Sequence, residues 1–455
     1  MPLVRWLKRK GEYMKMTRKT KTAKFSRRHF LRTSAGAASL AALTAGIRTK
    51  VYAAGSERLK IGLIGCGGRG AGAVVSALTV NPNARLTAMA EAFGDRLESV
   101  RKSLKSRMPS QVVVDDDHCF TGFEGYRKLI DSGVDVAILA SPPHFRPIHA
   151  EACVDAGVHV FAEKPMAVDA PGVRRILAAG EKARRKKLSF VSGFETRYSD
   201  NAREAVKRLH NGAIGKILTI EGTYNIGYLW HRGRKPEWTE MEFQLRNWYY
   251  FTWLSGDHIV EQHVHFLDLV GWIMHEQPPL HAWGMGGRQV RTDSKYGDIF
   301  DHHAAVYEYA EGTKVYAFSR QQPNCFNDVS YMALGTKGRL TKGAGGWGRF
   351  VIVGETSWDS GKGKTSSEMN SFREMFAAMK AGEPVNDSVA MARSTMLAVL
   401  GRMATHSGQR ITWQQAFESN KVLAPERYAW DAKPPVLPGP DGKYPHSIPG
   451  VTKVL

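Results

Sequence analysis

Two short stretches carry residue types whose spacing could do chemistry. The first is Glu163-Lys164-Pro165, which ends the apolar run 158–162. Proline cannot continue a central strand, and it biases the residue before it towards extended backbone. The strand therefore stops, leaving a carboxylate and an amine at its carboxyl end. In open α/β sheets ligands bind at that edge. The second stretch is 255–272, which includes Asp257, His258, Glu261, Gln262, His263, His265, Asp268 and Trp272. Read as one helix, it puts His258, Glu261, Gln262, His265, Asp268 and Trp272 on a single stripe opposite Ile259, His263, Phe266 and Val270. A continuous polar stripe on an otherwise apolar helix faces either water or a site. His263 and His265 point away from each other on a helix, whereas His258, Glu261 and His265 share a face and suit zinc by type. No other feature of the chain calls for a metal, and the reading adopted here carries none.

The elements that must position Lys164 begin about a hundred residues upstream. Residues 58–64 read as a short apolar strand, and Gly65-Cys-Gly67-Gly-Arg-Gly70 follows it directly, before a helix over 71–78. This is G-x-G-x-x-G between a strand and a helix, the arrangement that holds a dinucleotide pyrophosphate at a helix N-terminus. A second strand, 84–90, ends at Glu91, 26 residues past Gly65. An acid there accepts from the adenosine ribose hydroxyls and repels a 2′-phosphate, which favours NAD over NADP; nearby Arg96 softens that preference. A third strand is expected near 111–114 and a fourth at 134–140. Ser141, Pro142, Pro143 and His144 follow the fourth strand, and a helix over 148–156 leads to the strand that ends at Glu163. Helices between strands imply parallel pairing with right-handed crossovers. The loop at 141–147 then lies at the same sheet edge as Gly65 and Lys164, with His144 or His149 as polar anchors near a nicotinamide.

With these marks the chain resembles the Gfo/Idh/MocA oxidoreductase family. They are Gly65–Gly70, Glu91, Ser141-Pro142-Pro143 with His149, and Glu163-Lys164-Pro165. The resemblance covers roughly 57–420. It implies an α/β Rossmann domain followed by an α+β domain with an open, largely antiparallel sheet that often forms an oligomer interface. It also implies a nicotinamide cofactor and a sugar, inositol or polyol substrate. Matched residue by residue, Glu261 falls on the family's acid position, His265 on its histidine and Asp268 on its last aspartate. The resemblance assigns proton handling to Lys164 and His265, with Glu261 orienting one of them or binding a sugar hydroxyl. Glu163 anchors Lys164 or the nicotinamide ribose in this reading. The cofactor-binding set is Gly65, Gly67, Gly70, Glu91, Ser141, Pro142, His144 and Glu163. The chain departs from the family in having Glu261 where many members have Asp, and Asp257-His258 in place of a small or apolar pair.

The second half fits that division. A helix over 200–210 closes at Asn211-Gly212, and 215–224, 302–309, 314–320 and 328–334 alternate apolar and polar residues as half-buried strands do. Tight turns between them mean antiparallel pairing. Residues 225–255 are dense in aromatics and charge, which suits a sugar pocket, a small core of their own or a subunit contact equally. Two helices, 371–380 and 390–407, precede a Pro-rich stretch expected to wrap the surface or a neighbouring subunit. The expected divisions are 1–53, 54–192, 193–420 and 421–455.

The net charge of +21 would suggest nucleic acid or an anionic membrane, but it is concentrated at one end. Residues 1–53 hold 14 Lys and Arg against Glu12 alone, and the remainder holds 50 against 42 Asp and Glu. The first segment reads as an export signal: a basic stretch, Ser26-Arg27-Arg28-His29-Phe30-Leu31 resembling the twin-arginine pattern, a mild apolar run over 34–47, and Val51-Tyr52-Ala53 for cleavage. The apolar run is too short to span a membrane. Four scattered cysteines show no C-x-x-C or zinc spacing and read as reduced. The expectation is an exported, periplasmic oxidoreductase, a homo-oligomer acting on a carbohydrate, with no nucleic-acid partner and with NAD (NADP as alternative) bound tightly enough to survive export. The alternatives are a glycosidase that oxidises, eliminates and reduces with NAD in a closed cycle, and a non-catalytic binder that keeps the nucleotide for structure.

Overall fold

The structure, a computed structural model, describes residues 58–343 and 346–455. The export reading of residues 1–53 lies outside them.

The first half alternates strands and helices: β1 Lys60–Ile64, α1 Gly68–Val80, β2 Arg85–Glu91, α2 Gly94–Arg107, β3 Cys119–Thr121, α3 Gly125–Asp131, β4 Val136–Leu139, α4 Arg146–Asp155, β5 His159–Ala162, α5 Ala170–Arg185 and β6 Phe190–Ser192. The strands form one parallel sheet in the order β3-β2-β1-β4-β5-β6. Both faces of β1, β4 and β5 are buried, as a doubly covered parallel sheet requires. Two glycines allow the turn after β1. Gly65 has φ +96°, and a Cβ there would lie 2.3 Å from the Ser141 backbone nitrogen. A Cβ on Gly70 would lie 2.3 Å from the Gly65 carbonyl oxygen, so helix and strand could not close.

The third strand differs from expectation. Residues 111–114 make only a single bridge, between Val112 and Leu86, and the strand itself is Cys119–Thr121. The apolar run at 112–114 fills space beneath the sheet edge instead of extending the ladder, and both Val112 and Val114 are buried.

In the second half, α6 Asp200–His210 leads to β7 Ile217–Ile226, α7 Glu240–Arg246, α8 His258–Glu261 and α9 Val264–Ile273. Then come β8 His281–Gly287, β9 His302–Glu308, β10 Lys314–Gln321, β11 Tyr331–Gly335, β12 Gly338–Gly343, β13 Gly346–Gly354 and β14 Trp358–Asp359. Last are α10 Ser367–Ala381, α11 Ser388–Ser407, β15 Ile411–Thr412 and α12 Trp413–Glu418. The strands make a nine-stranded sheet, β14-β13-β12-β11-β7-β10-β9-β8-β15. Every pairing in it is antiparallel except β7 with β10, so the sheet is mixed but largely antiparallel. The long helix α11 is buried along nearly its whole length and packs on α9, α5 and β8, which joins the two halves through one apolar core.

From Ser419 to the end the chain forms no helix or strand and lies against its own surface. Tyr428 and Trp430 pack on Phe123, Phe145 and Phe93, and Tyr444 packs on Phe251.

One close approach sets the height of α9 above the sheet. A Cβ on Gly222 of β7 would sit 2.4 Å from the Phe266 ring. Gly222→Ala is expected to destabilise the protein by about 1–3 kcal/mol through overpacking, measured by denaturant titration. A midpoint equal to that of the unmodified protein would show that the helix moves freely on the sheet.

Candidate active site

The end of β5 meets the segment carrying Glu261. Lys164 Nζ donates to the Glu261 backbone oxygen at 2.6 Å and to Glu261 Oε1 at 3.1 Å. Both side chains are largely buried. The residues are 97 positions apart, and each belongs to a different sheet's half of the chain.

The local backbone makes that contact possible. The stretch 258–273 is not one helix. It is α8 and α9, interrupted at Gln262 and His263. In a continuous helix the Glu261 carbonyl would accept from His265 N–H. Here His265 N–H turns to the Gln262 oxygen at 3.3 Å, and the Glu261 carbonyl is released to Lys164. The expected six-residue stripe is therefore broken. His258 is fully buried beside His303, with ring centroids 4.6 Å apart, while Glu261 faces Lys164. His258, Glu261 and His265 are consequently not brought together as a metal set. Gln262 accepts from the Tyr224 hydroxyl at 3.0 Å. Asp268 accepts from Arg197 Nε at 2.7 Å and from the Ser394 hydroxyl at 2.8 Å, a buried bracket between α9, α11 and the chain after β6.

Electrostatics refine the roles. His265 is half-buried, and burial first, then the charges of Lys164 and Lys342, push its pKa well below the ordinary histidine value. It is therefore neutral at neutral pH, whereas histidine by type alone would titrate close to that range. Glu261 Oε2 is buried without a hydrogen-bond partner, although Oε1 is bound to Lys164. Lys342 on β12 was missed from the sequence. Burial lowers its pKa to about 8, against the pull of Glu195 and Asp268, and its amine lies 4.6 Å from the Tyr331 ring centroid. The alternation Leu340-Thr341-Lys342, with Leu340 and Lys342 both inward, was the available signal.

Glu163 does not pair with Lys164. It accepts from Arg69 Nε at 2.7 Å, and Arg69 also reaches Glu368. The carboxylate thus ties the glycine turn to the end of β5. Gly193 leaves room for it, because a Cβ there would lie 2.7 Å from Glu163 Oε2.

The glycine turn opens on a cleft of about 680 Å³ lined by Gly65, Gly67, Glu91, Ser141 and Pro142, with Trp230, Arg232, Arg246 and Trp248 on the facing side. A nicotinamide dinucleotide fits these residues. A Cβ on Gly67 or Gly68 would meet nothing within 4 Å, so backbone N–H groups there are open to a pyrophosphate at the α1 N-terminus. Glu91 is oriented at the end of β2 by the Cys66 N–H, at 2.8 Å. Burial raises its pKa, an effect Arg96 opposes. His144 is a correction: its Nε2 meets the Tyr428 hydroxyl at 2.7 Å, on the tail side, and it does not line the cleft. His149 does line it, with Nδ1 3.1 Å from the Ser141 hydroxyl. The aromatic segment 225–255 builds a small core around Phe243, Tyr249, Tyr250 and Trp253, shared with Phe93, Tyr296 and Tyr444 from outside it, and caps the nucleotide cleft with its edge.

Comparison with known proteins places these features in a family. Residues 59–191 match the oxidoreductase-family model described as an NAD-binding Rossmann fold, and 202–341 match the GFO/IDH/MocA C-terminal domain. The chain is 26% identical over 174 residues to a dTDP-3,4-didehydro-2,6-dideoxy-alpha-D-glucose 3-reductase of Actinomadura kijaniata, covering 38% of this chain and 47% of that one. It is 24% identical over 283 residues to a myo-inositol 2-dehydrogenase of Thermotoga maritima, covering 62% and 74%. A glycosyl hydrolase family 109 protein of Saccharopolyspora erythraea matches at 27% over 220 residues, covering 44% and 46%. The chain thus spans about half the length of two of these relatives. Among solved structures, levoglucosan dehydrogenase with NADH and levoglucosan superposes with a TM-score of 0.62 at 16% identity, covering 79% of this chain and all of that one, which is a likeness of fold.

Two buried histidines beside the cleft set an acid limit. Burial holds His144 at about 4 and His149 at about 3. Both folded values lie below the unfolded value near 6.5, so protons favour the unfolded chain as pH falls. Stability is fully present above pH ~6.5 and is expected to fall below it by up to about 1.4 kcal/mol per pH unit for each histidine. Melting temperatures measured from pH 8 to 4 test this; a flat profile between 7 and 5 contradicts it.

Proposed function

The chain belongs to the Gfo/Idh/MocA family of oxidoreductases, and on that footing we propose that it moves hydride between a nicotinamide dinucleotide and a carbinol carbon of a sugar, glycoside or polyol. The observation that carries the reading is the Lys164–Glu261 contact, with one Glu261 oxygen left for a donor and neutral His265 beside it. The substrate class follows relatives named for a dideoxy-glucose nucleotide, for inositol and for levoglucosan.

When bound, the nicotinamide supplies the hydride acceptor or donor. The protein's task is the hydroxyl proton and the orientation of the ring that bears it. Lys164, held between two Glu261 oxygens, presents its amine at the sheet edge; neutral His265 can accept the proton. Glu261 Oε2 accepts a substrate hydroxyl, a bond that also rewards the correct polyol over a deoxy analogue. Glu163 and Arg69 keep the glycine turn in register with that edge. The cap of Trp230, Arg232 and Trp248 over the cleft supports tight retention of the cofactor, and Arg96 and Arg232 leave room for NADP beside Glu91.

A second reading has its own support in the glycosyl hydrolase family 109 relative and in a 2,7-anhydro-N-acetylneuraminate hydratase of Escherichia coli, 26% identical over 254 residues, covering 52% of this chain and 62% of that one. In it, oxidation is transient and the cofactor is restored within one turnover. Export by the twin-arginine signal in residues 1–53 favours such a closed cycle, because nicotinamide nucleotides are made in the cytoplasm. Cell fractionation of Arg27→Lys/Arg28→Lys against the unmodified chain tests export; equal periplasmic yield rejects it. The outer face of the large sheet, with Tyr316 and Phe318 stacked and Leu334 and Val353 exposed, supports a homo-oligomer, which light scattering decides.

Purified protein is expected to carry nicotinamide nucleotide and to change its absorbance with a panel of sugars, glycosides and inositols. Aglycone release without net change in reduced cofactor selects the second reading. Lys164→Met and His265→Ala are each expected to lower turnover by about 10²-fold or more while leaving the bound nucleotide in place. Unaltered turnover in both variants would remove proton handling from Lys164 and His265, and absence of any turnover by the unmodified protein across the panel would leave the non-catalytic binder.

A further inference from the structure

We infer that Asp257, His303 and His406, closed by His258, form a structural site for a divalent metal ion, with zinc the best match. Among the described residues this is the one cluster in which three acid and imidazole ligand atoms all lie within 4.8 Å of one another. All three residues are buried. His303 Nε2 lies 3.3 Å from Asp257 Oδ1, and His406 Nε2 lies 2.9 Å from Asp257 Oδ2. His258 Nδ1 is 3.9 Å from the same Oδ1. Ligand atoms around a tetrahedral zinc, with bonds of about 2.0–2.1 Å, are spaced by about 3.3 Å, so the cluster is near that size already.

A metal-free network explains part of this arrangement. A carboxylate can accept from two imidazole N–H groups, and Asp257 also accepts from the backbone N–H groups of His258 and Phe300. What the network leaves unexplained is His303 Nε2, which has no hydrogen-bond partner, and the whole ring of His258. The His258 ring is fully buried, and neither nitrogen has a hydrogen-bond partner. Such an orphan in a close-packed interior points to an ion or water that satisfies it. A metal among these four residues would use one ring nitrogen of His258 and the Nε2 atoms of the other two histidines.

The surroundings are those of a ligand set. His303 Nδ1 lies 2.8 Å from the Thr405 hydroxyl, and His406 Nδ1 lies 2.8 Å from the Ser447 hydroxyl. Holding the far ring nitrogen in this way fixes the tautomer and leaves Nε2 free to ligate. Phe300 packs against both rings, with centroids 5.4 and 4.3 Å away, and excludes water. Three imidazoles and one carboxylate suit zinc better than the oxygen-preferring calcium or magnesium. Four protein ligands and no open position make the role structural. The ligands come from the turn before α8, from α8 itself, from β9 and from α11, while Ser447 comes from the C-terminal stretch. The ion would therefore fasten the start of the segment that carries Glu261 to the sheet and to the central helix.

Metal content of the full-length protein, measured by mass spectrometry after purification without added metal, is expected to be close to one zinc per chain. Cobalt exchanged into it should show the visible bands of a tetrahedral site. Dialysis against a chelator is expected to lower the melting temperature, with recovery on adding zinc. Thr405→Val, which removes only a supporting hydroxyl, should weaken zinc binding by about 10–100-fold. His303→Gln and His406→Gln should abolish it; if either fails to fold, the metal content of the unmodified protein still decides. Content well under one metal per chain, with no change in melting temperature on adding zinc, overturns the proposal and leaves a hydrogen-bond network.

Discussion

The buried amine of Lys164 constrains more of this protein than any other group. An ammonium taken out of water must find acceptors, and the ones it finds belong to a segment 97 residues away. One acceptor is a side-chain oxygen. The other is a backbone carbonyl that a regular helix would have consumed. The interruption at Gln262 and His263 is therefore a requirement of the contact: without it the Glu261 oxygen would be committed to His265 N–H. The same interruption lets α9 start at a new angle, pressing Phe266 onto Gly222 of β7 and placing Asp268 against Arg197 and Ser394. One lysine at a strand end thus fixes where a helix in the other half must break.

Charge around that contact is arranged so that only some groups can change state. Arg69 is held by Glu163 and Glu368, and Arg197 by Asp268 and Glu276. These pairs are closed. Lys164 shares Glu261 with whatever donor approaches Oε2, and Lys342 is softened by burial. Between the two lysines His265 is kept neutral, because a third positive charge there would be desolvated and repelled at once. A neutral imidazole flanked by two cations is poised to accept a proton only when something negative develops beside it. A carbinol oxygen that gives up its proton as the carbon bearing it gives up hydride would supply that.

Much of the frame was legible in the sequence because it is local. The helix at 200–210 was bounded by Asp200 and Asn211-Gly212, and it runs between those limits. The glycine turn, Glu91 at the end of β2 and the strand ending at Glu163 follow from short-range pattern and from glycine and proline stereochemistry. What was not legible depends on partners distant in sequence. His144 looked like a cleft residue by its place after β4, but it is claimed by Tyr428, 284 residues later. Residues 255–272 have a nearly perfect helical stripe, but the chain breaks at Gly256 and Asp257, which both have positive φ, and again at Gln262 and His263, where the Glu261 carbonyl turns to Lys164. At 111–114 the apolar residues predicted a strand correctly as to burial but wrongly as to pairing, since Val112 bridges Leu86 alone.

The segment 225–255 shows how one insertion can serve two ends. Its aromatics suited a sugar pocket, a private core or a subunit contact. In the fold, Tyr249, Tyr250, Phe251 and Trp253 are buried in a core shared with Phe93, Tyr296 and Tyr444, so most of the segment's aromatic area serves packing. The edge that remains, Trp230 and Trp248 with Arg232 and Arg246, turns to the nucleotide side of the cleft. Arg246 is fastened across the gap, stacked on Phe93 at 4.0 Å and ion-paired with Asp95 at 3.1 Å. Tail residue Trp430 closes on the same Phe93. A dinucleotide in this cleft would lie under a cap whose hinge is a packed core and whose latch reaches α2. Opening that cap means breaking aromatic and charged contacts together, so cofactor exchange is opposed by the same interactions that hold the insertion in place.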